Sequence, residues 1–124
     1  MANSFRELIV WQKSMDLTVL VYSLTKDFPR DELYGLTSQI RRAAVSLPSN
    51  IAEGHGRLGT KEFRQFLGIA RASNFELQTQ LELSRRLKLG NVKLLNDAEG
   101  LSHEVGKMLY AILESIKGIG KTDL

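Results

Sequence analysis

Gly54-His55-Gly56-Arg57-Leu58-Gly59 reproduces the G-x-G-x-x-G string that lays a pyrophosphate against a helix N-terminus. That chemistry needs a parallel strand before the glycines and a βαβ unit around them, and here the residues before Gly54 carry helical periodicity. A dinucleotide site is therefore not expected. What survives is a simpler anion site, in which Arg57, Lys61 and the free amides around Thr60 hold a single phosphate group. His55 and His103 are the only histidines and cysteine is absent. Neither histidine has a second histidine at i+4 or clustered carboxylates, so no metal is expected. Serines are present without a Ser-His-Asp arrangement, and the carboxylates are scattered rather than paired. The sequence reads as non-enzymatic and without a cofactor.

The remaining chemistry is cationic. The net charge of +3 is mild, but it is not evenly spread. Residues 30 to 90 hold ten basic groups against six acidic ones and eight of the nine arginines, whereas residues 91 to 124 use lysine only and are slightly acidic. Guanidinium is the cation better suited to bidentate contact with phosphate or carboxylate. Arg41 and Arg42 fall mid-helix, where complementing a helix C-terminus does not explain them, as it does Arg85, Arg86 and Lys88. Gln39, Arg42, Ser46, Ser49 and Glu53 form a polar row beside the apolar stripe of the same helix. Such a row has two readings. One is an internal network, for example Arg42 or Arg71 with Glu53 or Glu76 of the facing helix; the other is a basic surface offered to phosphates. Asn50 and Asn74, near apolar seams, read as hydrogen bonders that set register.

Four helices must position these groups. Trp11, Met15, Thr18 or Val19 and Tyr22 recur at helical spacing, widened by Leu8, Leu17, Leu20, Val21 and Leu24, and predict a helix over about 8–28 that Phe28-Pro29 closes. Ser4 with Glu7 is a candidate capping box. Leu33, Leu36, Ile40, Ala43, Leu47 and Ile51 predict a second helix over about 33–54; Pro48 removes the bond to the Ala44 carbonyl and should kink this helix without ending it. Gly54, Gly56 and Gly59 read as a loop, and Thr60 as the N-cap of a third helix, about 60–89, with the seam Phe63, Leu67, Ala70, Asn74, Leu77, Leu81 and Ser84. Gly90 fits a left-handed C-cap and Asn91 the next N-cap. The fourth helix, about 91–118, carries Leu95, Ala98, Ser102, Val105, Leu109, Ile112, Ile116 and Ile119, and residues 118–124 read as frayed. Gly68, Gly100 and Gly106, inside helices, suggest close approach of helices or subunits.

The fold class expected is all-α, an antiparallel up-down-up-down four-helix bundle forming one domain over residues 1–124. With no cysteine, no apolar run near 20 residues and an acid at Glu7 where a signal peptide would begin its apolar run, the expected location is cytoplasmic, with no membrane partner.

The run Leu8-Ile9-Val10-Trp11-Gln12-Lys13, then Phe28-Pro29, then Tyr34-Gly35-Leu36-Thr37-Ser38-Gln39-Ile40-Arg41-Arg42-Ala43-Ala44-Val45-Ser46-Leu47-Pro48-Ser49-Asn50-Ile51-Ala52-Glu53-Gly54 closely resembles the bacterial four-helix bundle proteins encoded in intervening sequences of 23S ribosomal RNA genes. Gly56-Arg57, Glu62-Phe63, Phe66-Leu67 and Ala70 through Leu77 continue it, over roughly residues 5 to 89, with the fourth helix similar only in length and pattern. The resemblance implies a homopentameric ring, nucleic-acid binding and no established catalytic role. Its strongest polar matches are Gln39, Arg41, Arg42, Ser46, Asn50, Glu53, Arg57, Glu62 and Glu76.

The function expected is that of an oligomeric protein binding structured nucleic acid, RNA before DNA, through phosphate contacts from Arg41, Arg42, Arg57, Lys61, Arg64 and Arg71. Five copies would carry about +15 and focus field on one face or channel. Recognition by shape and charge is expected, because the basic stretches lack exposed aromatics for base stacking. The alternative is a protein-interaction scaffold or accessory factor whose arginines form inter-subunit salt bridges, with Gln39, Ser46, Asn50, Glu53, Glu62 and Glu76 as structural or interface polar groups.

Overall fold

The computed structural model of the chain describes residues 3–122, with side chains as far as Lys117. Residues 1, 2, 123 and 124 of the expected domain, and the side chain of Ile119, lie outside the described residues. Apolar residues at steps of three and four wind into α1 (Ile9–Thr25), α2 (Leu36–His55), α3 (Thr60–Arg86) and α4 (Val92–Thr122). Short 3-10 turns, Phe5–Glu7 and Arg30–Glu32, lead into the first two, and no strand occurs among the described residues. Consecutive helices pack on each other and α1 closes the bundle against α4, while the diagonal pairs stay apart. Cross-helix contacts fix the directions. Thr18 and Thr25 reach Ala44 and Arg41; Ser46 and Gly54 meet Ser73 and Phe66; Arg71 and Arg85 meet Tyr110 and Glu99. Residue numbers fall on one helix as they rise on its neighbour, the antiparallel arrangement that short joints require. The central core is built by Leu17, Ile40, Leu47, Ile51, Leu67, Leu77, Leu81, Leu95 and Leu109.

The stripes expected for α2, α3 and α4 face the core, with Leu36, Phe63, Ile112 and Ile116 partly buried against it, apart from Leu33, which precedes α2 and is exposed. α1 is turned from its expected face. Its buried line is Val10, Ser14, Leu17, Val21 and Leu24, and Met15, Val19 and Tyr22 are exposed. This helix is apolar nearly all round, so periodicity does not single out a face. Ser14 and Thr25 enter the core because each hydroxyl donates to its own helix, at 2.7 Å to the Val10 carbonyl and 2.8 Å to the Val21 carbonyl.

The joints also differ from expectation. α1 stops at Thr25, and Ser4 caps the turn before it, accepting from the Arg6 amide at 3.2 Å. Gly35 rather than Leu33 opens α2, with the Glu32 carboxylate accepting from the Leu36 amide at 3.2 Å. The N-cap of α3 is Gly59, so Thr60 is its first helical residue and makes no cap. α2 runs unbroken through Pro48 and takes in Gly54 and His55. Asn91 does cap α4, accepting from the Leu94 amide at 3.0 Å, and α4 continues past residue 118 to Thr122. No proline stands there to stop it, and each glycine costs only about 1 kcal/mol.

α3 ends at Arg86, three residues early, because Lys88 turns left-handed at φ 58. The Leu89 amide then donates back to the Ser84 carbonyl at 2.9 Å and the Lys88 amide to Arg85 at 3.1 Å, a Schellman closure with lysine where glycine is usual. Gly90, at φ 78, is left-handed as expected and lies against Leu24 and Phe28. A lysine in this conformation costs about 1–2 kcal/mol relative to glycine. Lys88→Gly is expected to raise the melting temperature by about 4 °C in a thermal unfolding scan; a lower melting point would show that the lysine side chain contributes more than its backbone strain.

Candidate nucleic-acid interface

Starting from the glycine string, Gly54 and His55 belong to the end of α2, no strand precedes them, and the phosphate-cradle geometry is absent. Arg57 is held by the Glu53 carboxylate at 2.9 Å and lies 3.9 Å from that of Glu62, with its guanidinium over the Phe66 ring. The first turn of α3 has no side-chain cap. Arg57 and Lys61 thus flank free amides, but the arginine's charge is already balanced by two acids.

The expected internal ion pair does not form. Among the described residues Arg42 and Glu76, both exposed, make no ion pair, Glu53 is taken by Arg57, and Arg71 meets no carboxylate. Hydrogen bonds between neutral groups do form along the row: the Ser46 and Ser73 hydroxyls are 2.8 Å apart, and the Asn50 amide donates to the Ser46 carbonyl at 2.8 Å. Asn74 is buried and locks α3 to α4, donating to the Ser102 carbonyl at 3.0 Å and accepting from the Ser102 hydroxyl at 2.7 Å. Gln39 and Glu62 are exposed, Glu62 near Arg57.

The six cationic candidates fall in three places. Arg41 and Arg42 line a groove of about 620 Å³ with Tyr22, Leu33, Tyr34 and Val45. Arg41 donates to the Thr25 hydroxyl at 2.8 Å and sits 4.6 Å from the centre of the Tyr22 ring. Arg57 and Lys61 are at the α2–α3 connection. Arg64 and Arg71 face the seam between α3 and α4. Among the described residues Arg42, Lys61, Arg64 and Arg71 have no carboxylate partner, an arrangement suited to an external anion.

Aromatic residues accompany these cations, against expectation. Tyr34 is 94% exposed, and Phe75 and Tyr110 about half exposed. The Arg71 guanidinium carbon lies 5.2 Å from the Phe75 ring centre and 5.6 Å from that of Tyr110, within cation–π range of both. Lys107 and Lys117 of α4 join that seam. Phe75 stands at i+4 from Arg71 and is visible in the sequence, whereas Tyr110, Lys107 and Lys117 arrive only through the α3–α4 pairing.

Among the described residues the Thr37 hydroxyl, lining the Arg41–Arg42 groove on a residue only 3% exposed, has no hydrogen-bond partner. Burying such a group costs about 1–3 kcal/mol. Thr37→Val is expected to stabilise the isolated chain by about 1 kcal/mol in denaturant titration, and a loss of stability would show that the hydroxyl is satisfied in solution.

The molecule is thus an antiparallel, all-α four-helix bundle whose outer faces carry arginines without a carboxylate partner among the described residues. The model of the 23S rRNA-intervening sequence protein family matches residues 6–111, and the chain belongs to that family. The match takes in most of α4, further than the resemblance read to residue 89. Among solved structures, a protein of unknown function from the S23 ribosomal protein family of Bacteroides thetaiotaomicron superposes with a TM-score of 0.74 at 25% identity, covering 85% of this chain and 98% of that one. No curated protein matches. No described helix is long and apolar enough to cross a membrane.

Proposed function

We propose that this chain is a self-associating bundle that acts by binding structured nucleic acid, RNA in preference to DNA, rather than by catalysis. The supporting observation is that Arg42, Lys61, Arg64 and Arg71 lack carboxylate partners. Arg41 is pre-positioned by Thr25 and Tyr22, and Arg57 is recruited by exchanging its surface carboxylates, pairs worth little in water, for phosphate. The family's name ties its members to the ribosomal RNA gene, which favours RNA as the ligand. The same reading includes a homopentameric ring, which multiplies a weak monomer charge, a bend of α2 at Pro48 and a cytoplasmic location.

The scaffold alternative draws on the Arg41–Arg42 groove, where Leu33, Tyr34 and Val45 are exposed around the unpaired Thr37 hydroxyl. A second copy or another protein covering this groove would bury the exposed Leu33, Tyr34 and Val45 side chains. One experiment separates the readings: RNA-hairpin affinity and sedimentation measured together for Arg41→Ala/Arg42→Ala. Weaker RNA binding with unchanged assembly supports phosphate contacts. Dissociation of the assembly, with affinity per assembled particle unchanged, makes these arginines interface residues.

A further inference from the structure

We infer that the seam between α3 and α4 takes unpaired nucleotides, stacking their bases on Phe75 and Tyr110; this rests on the nucleic-acid reading and names the part of the ligand the seam accepts. Arg64, Arg71 and Phe75 share one face of α3 at steps of seven and four, and Lys107, Tyr110 and Lys117 share one face of α4 at steps of three and seven. The antiparallel pairing sets the two rows side by side along two shallow grooves of about 420 and 510 Å³ that have Arg71 and Phe75 in common. Four cations stand there against Glu114, which lies 3.9 Å from Lys117.

Two features favour unpaired bases over a duplex. Phe75 and Tyr110 are 52% and 53% exposed, so each ring offers surface to a flat partner, and a base in a duplex already stacks on its neighbours. Arg71, between the rings with no acid partner among the described residues, is pinned by its aromatic contacts while its N–H groups remain donors. From Lys107 to Lys117 the strip is about 15 Å long, the reach of four or five stacked nucleotides at about 3.4 Å each. Gly68, where an added Cβ would meet nothing within 4 Å, keeps its floor low between Arg64 and Arg71.

The test is fluorescence anisotropy with a labelled 12-nucleotide single-stranded RNA and the same sequence fully paired, using the full chain and its Phe75→Leu, Tyr110→Leu, Arg71→Lys and Arg71→Ala variants. A 2-aminopurine base in the strand reports stacking. Tighter binding of the single strand is expected, with quenched 2-aminopurine and a loss of about 5- to 150-fold on each leucine substitution. Phe75→Tyr should restore the affinity that Phe75→Leu loses. Arg71→Ala should make the salt slope shallower by about 0.7, and Arg71→Lys should leave it unchanged. If paired and unpaired RNA bind alike and the leucine variants bind like the parent, the seam is a charge surface only; the inference falls and the nucleic-acid reading stands. If neither RNA binds at low salt, both fall. If the leucine variants change the sedimentation of the RNA-free protein, the rings belong to a subunit contact and the inference is overturned.

Discussion

Gly54→Ala is expected to lower stability by about 2 kcal/mol, close to 8 °C in melting temperature for a chain of this length, although alanine is the better helix former. Gly54 is buried near the end of α2, and a Cβ there would sit 2.7 Å from the Phe66 Cβ and 3.2 Å from the Phe63 ring. The Phe66 Cβ is fixed to the backbone of α3, so no rotamer change relieves the contact and the helices must part. Overpacking of this kind costs about 1–3 kcal/mol, more than the roughly 1 kcal/mol gained in helix propensity. Gly68→Ala supplies the control. Its Cβ meets nothing within 4 Å, so thermal unfolding should show stabilisation of about 1 kcal/mol. If both substitutions shift the melting point the same way, the close approach of α2 and α3 does not exist. This approach also sets where α3 begins, and with it the placement of Arg57 over Phe66.

The second large effect is expected at Thr18. Pro48 has no amide hydrogen, so the buried Ala44 carbonyl loses its helical donor, and the Thr18 hydroxyl stands 2.9 Å from that oxygen. The same hydroxyl is 2.8 Å from the Ser14 carbonyl, which already has the amide of its own helix. Ala44 is thus the acceptor with no alternative. Thr18→Val keeps the shape, removes the donor and should cost about 1–3 kcal/mol in urea unfolding. In a Pro48→Ala background residue 48 again donates to Ala44, and the cost of Thr18→Val should shrink to a few tenths of a kcal/mol. A coupling of about 1 kcal/mol or more from this double-mutant cycle is the expected result. An equal cost in both backgrounds would mean that Thr18 does not stand in for the missing amide.

These two contacts show where sequence reading reaches and where it stops. The gap that Pro48 opens at Ala44 is legible, since it follows from proline's chemistry alone. That Thr18 fills it is not, because the donor lies 26 residues away on another helix. The stripes of α2, α3 and α4 are legible because charged residues mark their outer faces. The face of α1 is not, because Ser14 and Thr25 satisfy their own hydroxyls and so enter the core despite their polarity. Helix ends drift for local reasons: a left-handed Lys88 closes α3 where glycine was the natural candidate at residue 90. At the candidate interface the arginines are plain in composition and the Glu53–Arg57 pair in i,i+4 spacing. The aromatic company of Arg41 and Arg71 depends on which helices meet, and Tyr22 and Tyr110 come from the neighbours of the helices that carry the arginines.

The central claim, that the unpaired cations are phosphate contacts, is tested most directly by the salt dependence of RNA affinity. In the parent chain Arg42, Lys61, Arg64 and Arg71 contribute about −3 to the slope of log K against log salt for each chain engaged, at roughly −0.7 to −0.9 per phosphate neutralised. Replacing all four by alanine should make that slope shallower by about 3 while the helical content by circular dichroism stays unchanged, these side chains being exposed or half-buried. A parent slope near zero, or a steep slope that survives the fourfold substitution, would contradict the account.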